Sequence, residues 1–195
     1  MPKLTTFSAQ LLRRPREVSA LAPSSRHLCR AMAMQIPSSA RRVAELGPGT
    51  GNVTREIIEV GIQPKDLSLF EINPYFSQWL RNTYPAATVF NEPAHKLALA
   101  GPEPIDAVVS GLPLLSMTAG QQQEILSAVF SQLGEDGVYI QFTYGPASPV
   151  RQNIVTSLGL TYTRTNRVWF NLPPAVVYVY RRAPRRVQQL AFVAL

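Results

Sequence analysis

Glu45-Leu46-Gly47-Pro48-Gly49-Thr50-Gly51 decides how this chain is read. An apolar segment at 43–46 runs into it and an amphipathic one at 53–60 runs out of it. The stretch is therefore a glycine-rich turn between a strand and a helix. Glycines at alternate positions permit the tight turn and let backbone N–H groups come close to a ligand. Outward from this turn the chain alternates. Strands are expected at 67–72, 87–90, 105–110 and 138–143, and helices at 74–83, 119–133 (ending at Gly134) and 150–158, with a short connector around Lys96. Two further strands, 160–170 and 175–180, are joined across Asn171-Leu172-Pro173-Pro174 as a hairpin at the end of the sheet. Strands separated by helices give an α/β fold: a mainly parallel sheet covered on both faces.

The acids around the turn narrow the ligand. A pyrophosphate at a helix N-terminus is poorly served by an acid at the loop entrance, where Glu45 stands. A ligand carrying both an amino group and a carboxylate suits Glu45 beside exposed N–H groups, and S-adenosylmethionine is such a ligand. Glu71 follows Glu45 by 26 residues, at the end of the second strand, where such folds place a carboxylate for ribose hydroxyls. Asn91-Glu92-Pro93-Ala94 ends the third strand and offers a polar edge to an adenine. Any one of these acids read alone is a surface carboxylate. Together they stand at the carboxyl ends of successive strands, the edge at which open α/β sheets bind ligands.

Composition sets the class. The chain has 195 residues, enough for one domain with modest additions, and its hydrophobic share of 46% excludes wholesale disorder. No window approaches the ~18 apolar residues of a bilayer span, no secretory signal is evident at the start, and a single Cys29 makes no internal disulfide. Charge divides unevenly. Residues 1–42 hold eight basic residues against Glu17, residues 181–195 hold four arginines and no acid, and the middle holds seven basic and eleven acidic residues. Two basic ends on an acidic body suit a polyanion, either anionic lipid or nucleic acid, if they are more than solvated charge.

The first residues read as helical pieces broken by proline. Leu4, Phe7, Leu11 and Leu12 share one helical face, Pro15 interrupts, and Pro23-Ser24-Ser25 starts a helix carrying Leu28, Ala31, Met32 and Ile36. The first piece either lies in a headgroup layer or packs on its own sheet.

Residues 42–73 resemble the class I S-adenosylmethionine-dependent methyltransferases, in particular those with an ELGPGTGxxT signature, here Glu45 to Thr54. Two branches share it: the ribosomal RNA adenine dimethylases and the bacterial phospholipid N-methyltransferases. In the RNA enzymes the fourth strand ends in Asn-Leu-Pro-aromatic, which reads a flipped adenine. Ser110-Gly111-Leu112-Pro113-Leu114 stands here, without either base-reading side chain, and the helical domain that follows the sheet in those enzymes is not expected in a sequence that runs to Leu195. Pro23-Ser24-Ser25, Phe142-Thr143-Tyr144-Gly145-Pro146 and Trp169-Phe170-Asn171-Leu172-Pro173-Pro174-Ala175 resemble the phosphatidylethanolamine N-methyltransferases.

The resemblance, over about residues 20–182, implies a Rossmann-like fold with a mixed seven-stranded sheet. It also implies three segments: an N-terminal helical extension at 1–41 as a candidate anchor and lid, a catalytic domain at 42–182 and a basic tail at 183–195. It implies S-adenosylmethionine held by Ser25, Glu45, Gly47, Pro48, Gly49, Thr50, Gly51, Glu71, Ile72, Glu92, Pro93, Ala94 and Ser110. Methyl transfer to the amine of phosphatidylethanolamine is then expected around Tyr144, Ser110, Gly111 and Leu112, with no metal, and with water or a carbonyl near 110–112 taking the proton. Arg151 and Arg167 are candidates for the lipid phosphate, while His27, His95 and Trp169 are expected to be structural. A bacterial protein on the cytoplasmic face of the membrane is implied, docked through 1–22, with 181–186 as a second candidate contact. An RNA adenine N6-methyltransferase is the alternative.

Overall fold

A computed structural model of the chain describes residues 25–184. The expected amphipathic helix within 1–22, and Arg185 and Arg186, lie outside the described residues.

Seven strands form one sheet: β1 (Val43–Leu46), β2 (Leu67–Phe70), β3 (Thr88–Phe90), β4 (Ile105–Ser110), β5 (Leu133–Thr143), β6 (Leu160–Arg164) and β7 (Val176–Arg182). Their order is β3-β2-β1-β4-β5-β7-β6, with β1 to β5 parallel and β7 antiparallel to both β5 and β6. The order reverses direction between β1 and β4. Ligands of open α/β sheets settle in the crevice at such a reversal, outside the carboxyl ends of the strands.

Five helices flank the sheet: α1 (Arg26–Ala33), α2 (Asn52–Glu59), α3 (Pro74–Thr83), α4 (Ala119–Gln132) and α5 (Gln152–Ser157). Side chains of α1 to α3 such as Met32, Ile57 and Leu80 bury one face of the sheet. Leu126 and Phe130 of α4 and Ile154 of α5 bury the other. Their starts are written locally. Ser25 accepts the Leu28 N–H at 3.2 Å, Asn73 accepts that of Tyr75 at 2.9 Å just ahead of Pro74, and Thr118 and Gln121 close a reciprocal capping box.

Three elements differ from the sequence expectation. β5, expected over 138–143, already starts at Leu133, directly after α4. α1, expected as part of an extension, belongs to the body: Leu28, Cys29, Met32 and Ala33 are wholly buried on the sheet. The strand expected over 160–170 stops at Arg164, and beyond it only Val168 bridges to Ala175. Pro173 and Pro174 bring no N–H to a ladder, and the Asn171 side chain binds the Ser25 N–H and the Pro173 carbonyl, not an opposing strand.

Candidate active site

The glycine turn sits at the reversal point of the sheet. Gly47, Gly49 and Gly51 adopt φ of 69°, 55° and 79°, a region costly to residues with a Cβ. Two of the three are also walled in. A Cβ on Gly47 lies 2.9 Å from Leu112 Cδ2, and one on Gly51 lies 2.9 Å from the Tyr84 ring, whose hydroxyl donates to the Gly51 carbonyl at 3.1 Å. A Cβ on Gly49 meets nothing within 4 Å. The open side of the turn is therefore at Pro48–Thr50. Behind it, α2 starts from Gly51 without a side-chain cap, so its first N–H groups remain open to an anionic group such as an amino-acid carboxylate.

The two glutamates play different parts. Glu45 is buried and its Oε2 accepts from Thr54 Oγ1 at 2.6 Å. Burial pushes its carboxyl up to about 8, with the nearby Glu71 charge adding to the rise and the Thr54 hydrogen bond opposing it. Glu71 bridges backbone: Oε2 accepts the Gly49 N–H at 2.9 Å and Oε1 the Asn73 N–H at 2.8 Å. Asn91 Nδ2 donates to the carbonyls of Glu71 and Ile72 at 2.8 and 3.0 Å, fixing the end of β2 against that of β3. Ile72 follows with 70% of its surface exposed, an apolar face where an adenine would lie. Glu92, Pro93 and Ala94 are half-buried at the end of β3, on the same edge.

The substrate-side corner after β4 departs from expectation at Ser110. Its side chain is wholly buried and its hydroxyl accepts the Leu112 N–H at 3.3 Å, holding the corner from beneath instead of facing a ligand. Gly111 is required by close approach: a Cβ there lies 2.8 Å from the Gly47 carbonyl, and its N–H donates to the Leu46 carbonyl at 2.8 Å. The Leu112 carbonyl accepts from Leu114 N at 2.9 Å and from Gln141 Nε2 at 3.0 Å. Gln141, which the sequence did not single out, is buried and also accepts from the Tyr139 hydroxyl at 2.8 Å. Tyr144 stands just past β5, half-buried, its ring edge-on to Phe142 at 5.2 Å, and its hydroxyl has no hydrogen-bond partner among the described residues.

Ser25 reaches this edge through its backbone, donating its N–H to Asn171 Oδ1 at 2.9 Å. The arginines divide. Arg26 and Arg30 pair with the buried Glu56 at 3.0 and 3.4 Å, so part of the N-terminal positive charge is consumed within the body. Arg182 donates to the carbonyls of Phe130, Leu133 and Gly134, capping the end of α4. With Arg181 it ends β7 at the edge opposite the glycine turn, away from where a lipid surface facing the site would be met. His27 packs with its ring tilted against Phe170, and His95 lies 3.7 Å from Glu124; neither touches the corner at 110–112.

No family model matches the sequence. Over 193 residues the chain is 28% identical to the ornithine lipid N-methyltransferase of Singulisphaera acidiphila, a match covering 90% of this chain and 94% of that one. Among solved structures it resembles a glycopeptide N-methyltransferase complexed with S-adenosylmethionine, at a TM-score of 0.65 and 11% identity, covering 81% of this chain and 94% of the other. It also resembles the magnesium protoporphyrin IX methyltransferase of Synechocystis PCC 6803 with the same molecule bound, at a TM-score of 0.64 and 10% identity, covering 81% and 79%. The strand order, the reversal-point glycine turn and these likenesses agree: the chain has the Rossmann-like fold of the S-adenosylmethionine-dependent methyltransferases.

Proposed function

We propose that this protein is a lipid N-methyltransferase that moves methyl groups from S-adenosylmethionine to the amine of phosphatidylethanolamine and its methylated intermediates, towards phosphatidylcholine. The observation that carries the reading is the match, over nearly the whole of both chains, to an enzyme named for N-methylation of a lipid. The corner after β4 supports it, because Ser110 is buried and Leu114 faces the core, so neither presents an edge or a ring to a nucleobase.

S-adenosylmethionine, when bound, supplies an electrophilic sulfonium methyl. The chain's own residues then have three tasks. Glu71 and the open face of Gly49 hold the ribose side, and Ile72 covers the adenine. The amino-acid end lies at the N-terminus of α2 with Glu45 behind the turn. The amine, neutral when it attacks, donates an N–H to the Tyr144 hydroxyl or the Gly111 carbonyl, the Leu112 carbonyl being already engaged twice. Alignment of nitrogen, methyl and sulfur on one line is the main contribution to rate. One proton per methyl leaves with water. Such a substrate places the protein at the cytoplasmic face of the membrane as a peripheral protein, with residues 1–22 as an anchor.

A second substrate is favoured by the relative's name: ornithine lipid, which also presents a primary amine on an amphiphile. Transfer of radiolabelled methyl groups to vesicles containing phosphatidylethanolamine, to vesicles containing ornithine lipid, and to total RNA separates the readings. Label in the first is expected. Label in ornithine lipid alone replaces the substrate but keeps the class, and label in RNA alone overturns the proposal.

A further inference from the structure

The hairpin between β6 and β7 carries side chains that the fold does not use. Trp169, Phe170 and Leu172 are 71%, 79% and 91% exposed, although the sequence reading placed Trp169 in the core. They are held outward by a built support. Asn171, buried between them, accepts the Ser25 N–H at 2.9 Å and donates to the Pro173 carbonyl at 2.7 Å. His27 of α1 packs against Phe170, the ring centroids 5.2 Å apart and the planes tilted by 32°, and the Arg167 guanidinium lies 5.6 Å from the Trp169 ring. An apolar group on a braced loop loses little conformational freedom when it is buried. Left in water, three large neighbouring apolar side chains mark a contact surface.

Topology says where that surface faces. Val176 pairs with Thr143, so the hairpin leaves the sheet at the edge where β5 gives way to Tyr144 and β1 to the glycine turn. Leu115, 59% exposed, stands on the same edge, with its Cδ1 3.5 Å from where a Cβ of Gly145 would be. Charge says what it meets. Residues 137–195 contain seven arginines and no Asp or Glu, and Arg164 and Arg167, both exposed, flank the tip. A tryptophan, a phenylalanine and a leucine among arginines match the boundary between headgroups and acyl chains of an anionic bilayer.

We propose that Trp169, Phe170 and Leu172 form a membrane-insertion tip that docks the carboxyl edge of the sheet on an anionic lipid surface, Arg164 and Arg167 meeting its phosphates. The tip holds the methyl-donor pocket at headgroup height, so the lipid amine enters while its chains stay in the bilayer. This rests on the lipid reading above for its purpose, but its test does not.

The full chain has two tryptophans, so Trp79→Phe leaves Trp169 as the single reporter. Its emission is expected to shift to the blue, and to be quenched by brominated acyl chains, on vesicles of phosphatidylglycerol and phosphatidylethanolamine. The exposed pair Phe170→Ser and Leu172→Ser is expected to weaken partition onto those vesicles roughly tenfold or more, while methylation of a monomeric short-chain phosphatidylethanolamine is unchanged. Emission that does not move at vesicle concentrations where the protein co-sediments overturns the tip. So does a serine pair that co-sediments as the parent does. A parent dimer that the serine pair dissociates, with Trp169 silent on vesicles, assigns the surface to a second copy and also overturns it. Insertion without methylation of any lipid keeps the tip and removes the proposed substrate.

Discussion

Glu71 holds the glycine turn: its Oε2 accepts the Gly49 N–H at 2.9 Å while its Oε1 accepts that of Asn73 at 2.8 Å. One carboxylate thus sets the turn after β1 relative to the end of β2, the two walls between which we propose the nucleoside lies. Charge-assisted hydrogen bonds of this kind contribute about 1.5–3 kcal/mol each. Glu71→Ala is therefore expected to weaken S-adenosylmethionine binding about 10- to 100-fold, with a smaller effect on the melting temperature. Calorimetric titration of the variant checks it, and an affinity within twofold of the parent would sink the role.

Gly49 and Gly111 should separate binding from folding. Nothing lies within 4 Å of a Cβ on Gly49, so Gly49→Val costs only the left-handed strain of about 1–2 kcal/mol and fills the ligand's space. The variant is expected to fold and to lose measurable binding. A Cβ on Gly111 meets the Gly47 carbonyl at 2.8 Å, forcing backbone to move. Gly111→Ala is expected to lose about 1–3 kcal/mol of stability, read by denaturant unfolding. Undiminished affinity in a folded Gly49→Val protein contradicts the cradle.

The difference between what the sequence told and what it withheld follows the distance between partners. β1, β4 and α3 appear with their expected ends, because Pro74, Asn73 and the glycine turn punctuate them locally. Glu45 and Glu71 were legible because strand ends repeat at a regular spacing. Gln141, Tyr84 and Asn171 were not, since each acts on backbone 29, 33 or 146 residues away, and no local pattern marks such a contact. Ser110 was placed on the right corner but on the wrong side of it. Its position at the end of β4 says nothing about which way the hydroxyl turns, and here it turns to the Leu112 N–H.

Glu45 makes both stability and binding depend on pH. Its carboxyl moves from 4.5 up to about 8 on folding, so the folded chain holds a proton that the unfolded chain has released across that window. Stability from this group is greatest below pH 4.5 and falls as pH rises to about 8. Glu45→Gln should flatten that part of the profile. A ligand ammonium drawn to the carboxylate favours its ionised form. Binding of S-adenosylmethionine near pH 7 is then expected to release a proton, measurable by calorimetry in buffers of different ionisation enthalpy. No buffer dependence beyond that of the Glu45→Gln variant would refute the coupling.

Residues 1–22 give a second, independent prediction about the lipid surface. Their deletion is expected to weaken binding to anionic vesicles while S-adenosylmethionine affinity changes little, because the Gly49 N–H is held by Glu71 and Glu45 by Thr54, both within the described residues. Salt should weaken vesicle binding of the full chain, since exposed charges are screened over ~8–10 Å. Undiminished co-sedimentation of the truncated chain moves the anchor elsewhere, to the tip at Trp169 or to the basic stretch 181–186.

Tyr144 tests the chemistry of the amine itself. Its half-buried ring packs edge-on to Phe142 at 5.2 Å and its hydroxyl has no partner among the described residues, so the oxygen and the exposed part of the ring can meet a ligand. A primary amine offers N–H groups to that oxygen; each methyl added removes one and leaves a cation better suited to the face. A ring–ammonium contact contributes about 0.5–2 kcal/mol. Tyr144→Ala is therefore expected to lower turnover on phosphatidylethanolamine about 3- to 30-fold, with little change in S-adenosylmethionine affinity. Tyr144→Phe keeps the ring and should slow the first methylation more than the later ones, shifting the products towards dimethyl and trimethyl lipid. Mass spectrometry of the product mixture reads this directly. Parent turnover and parent product ratios in Tyr144→Ala would remove Tyr144 from the site and leave the amine to the Gly111 carbonyl.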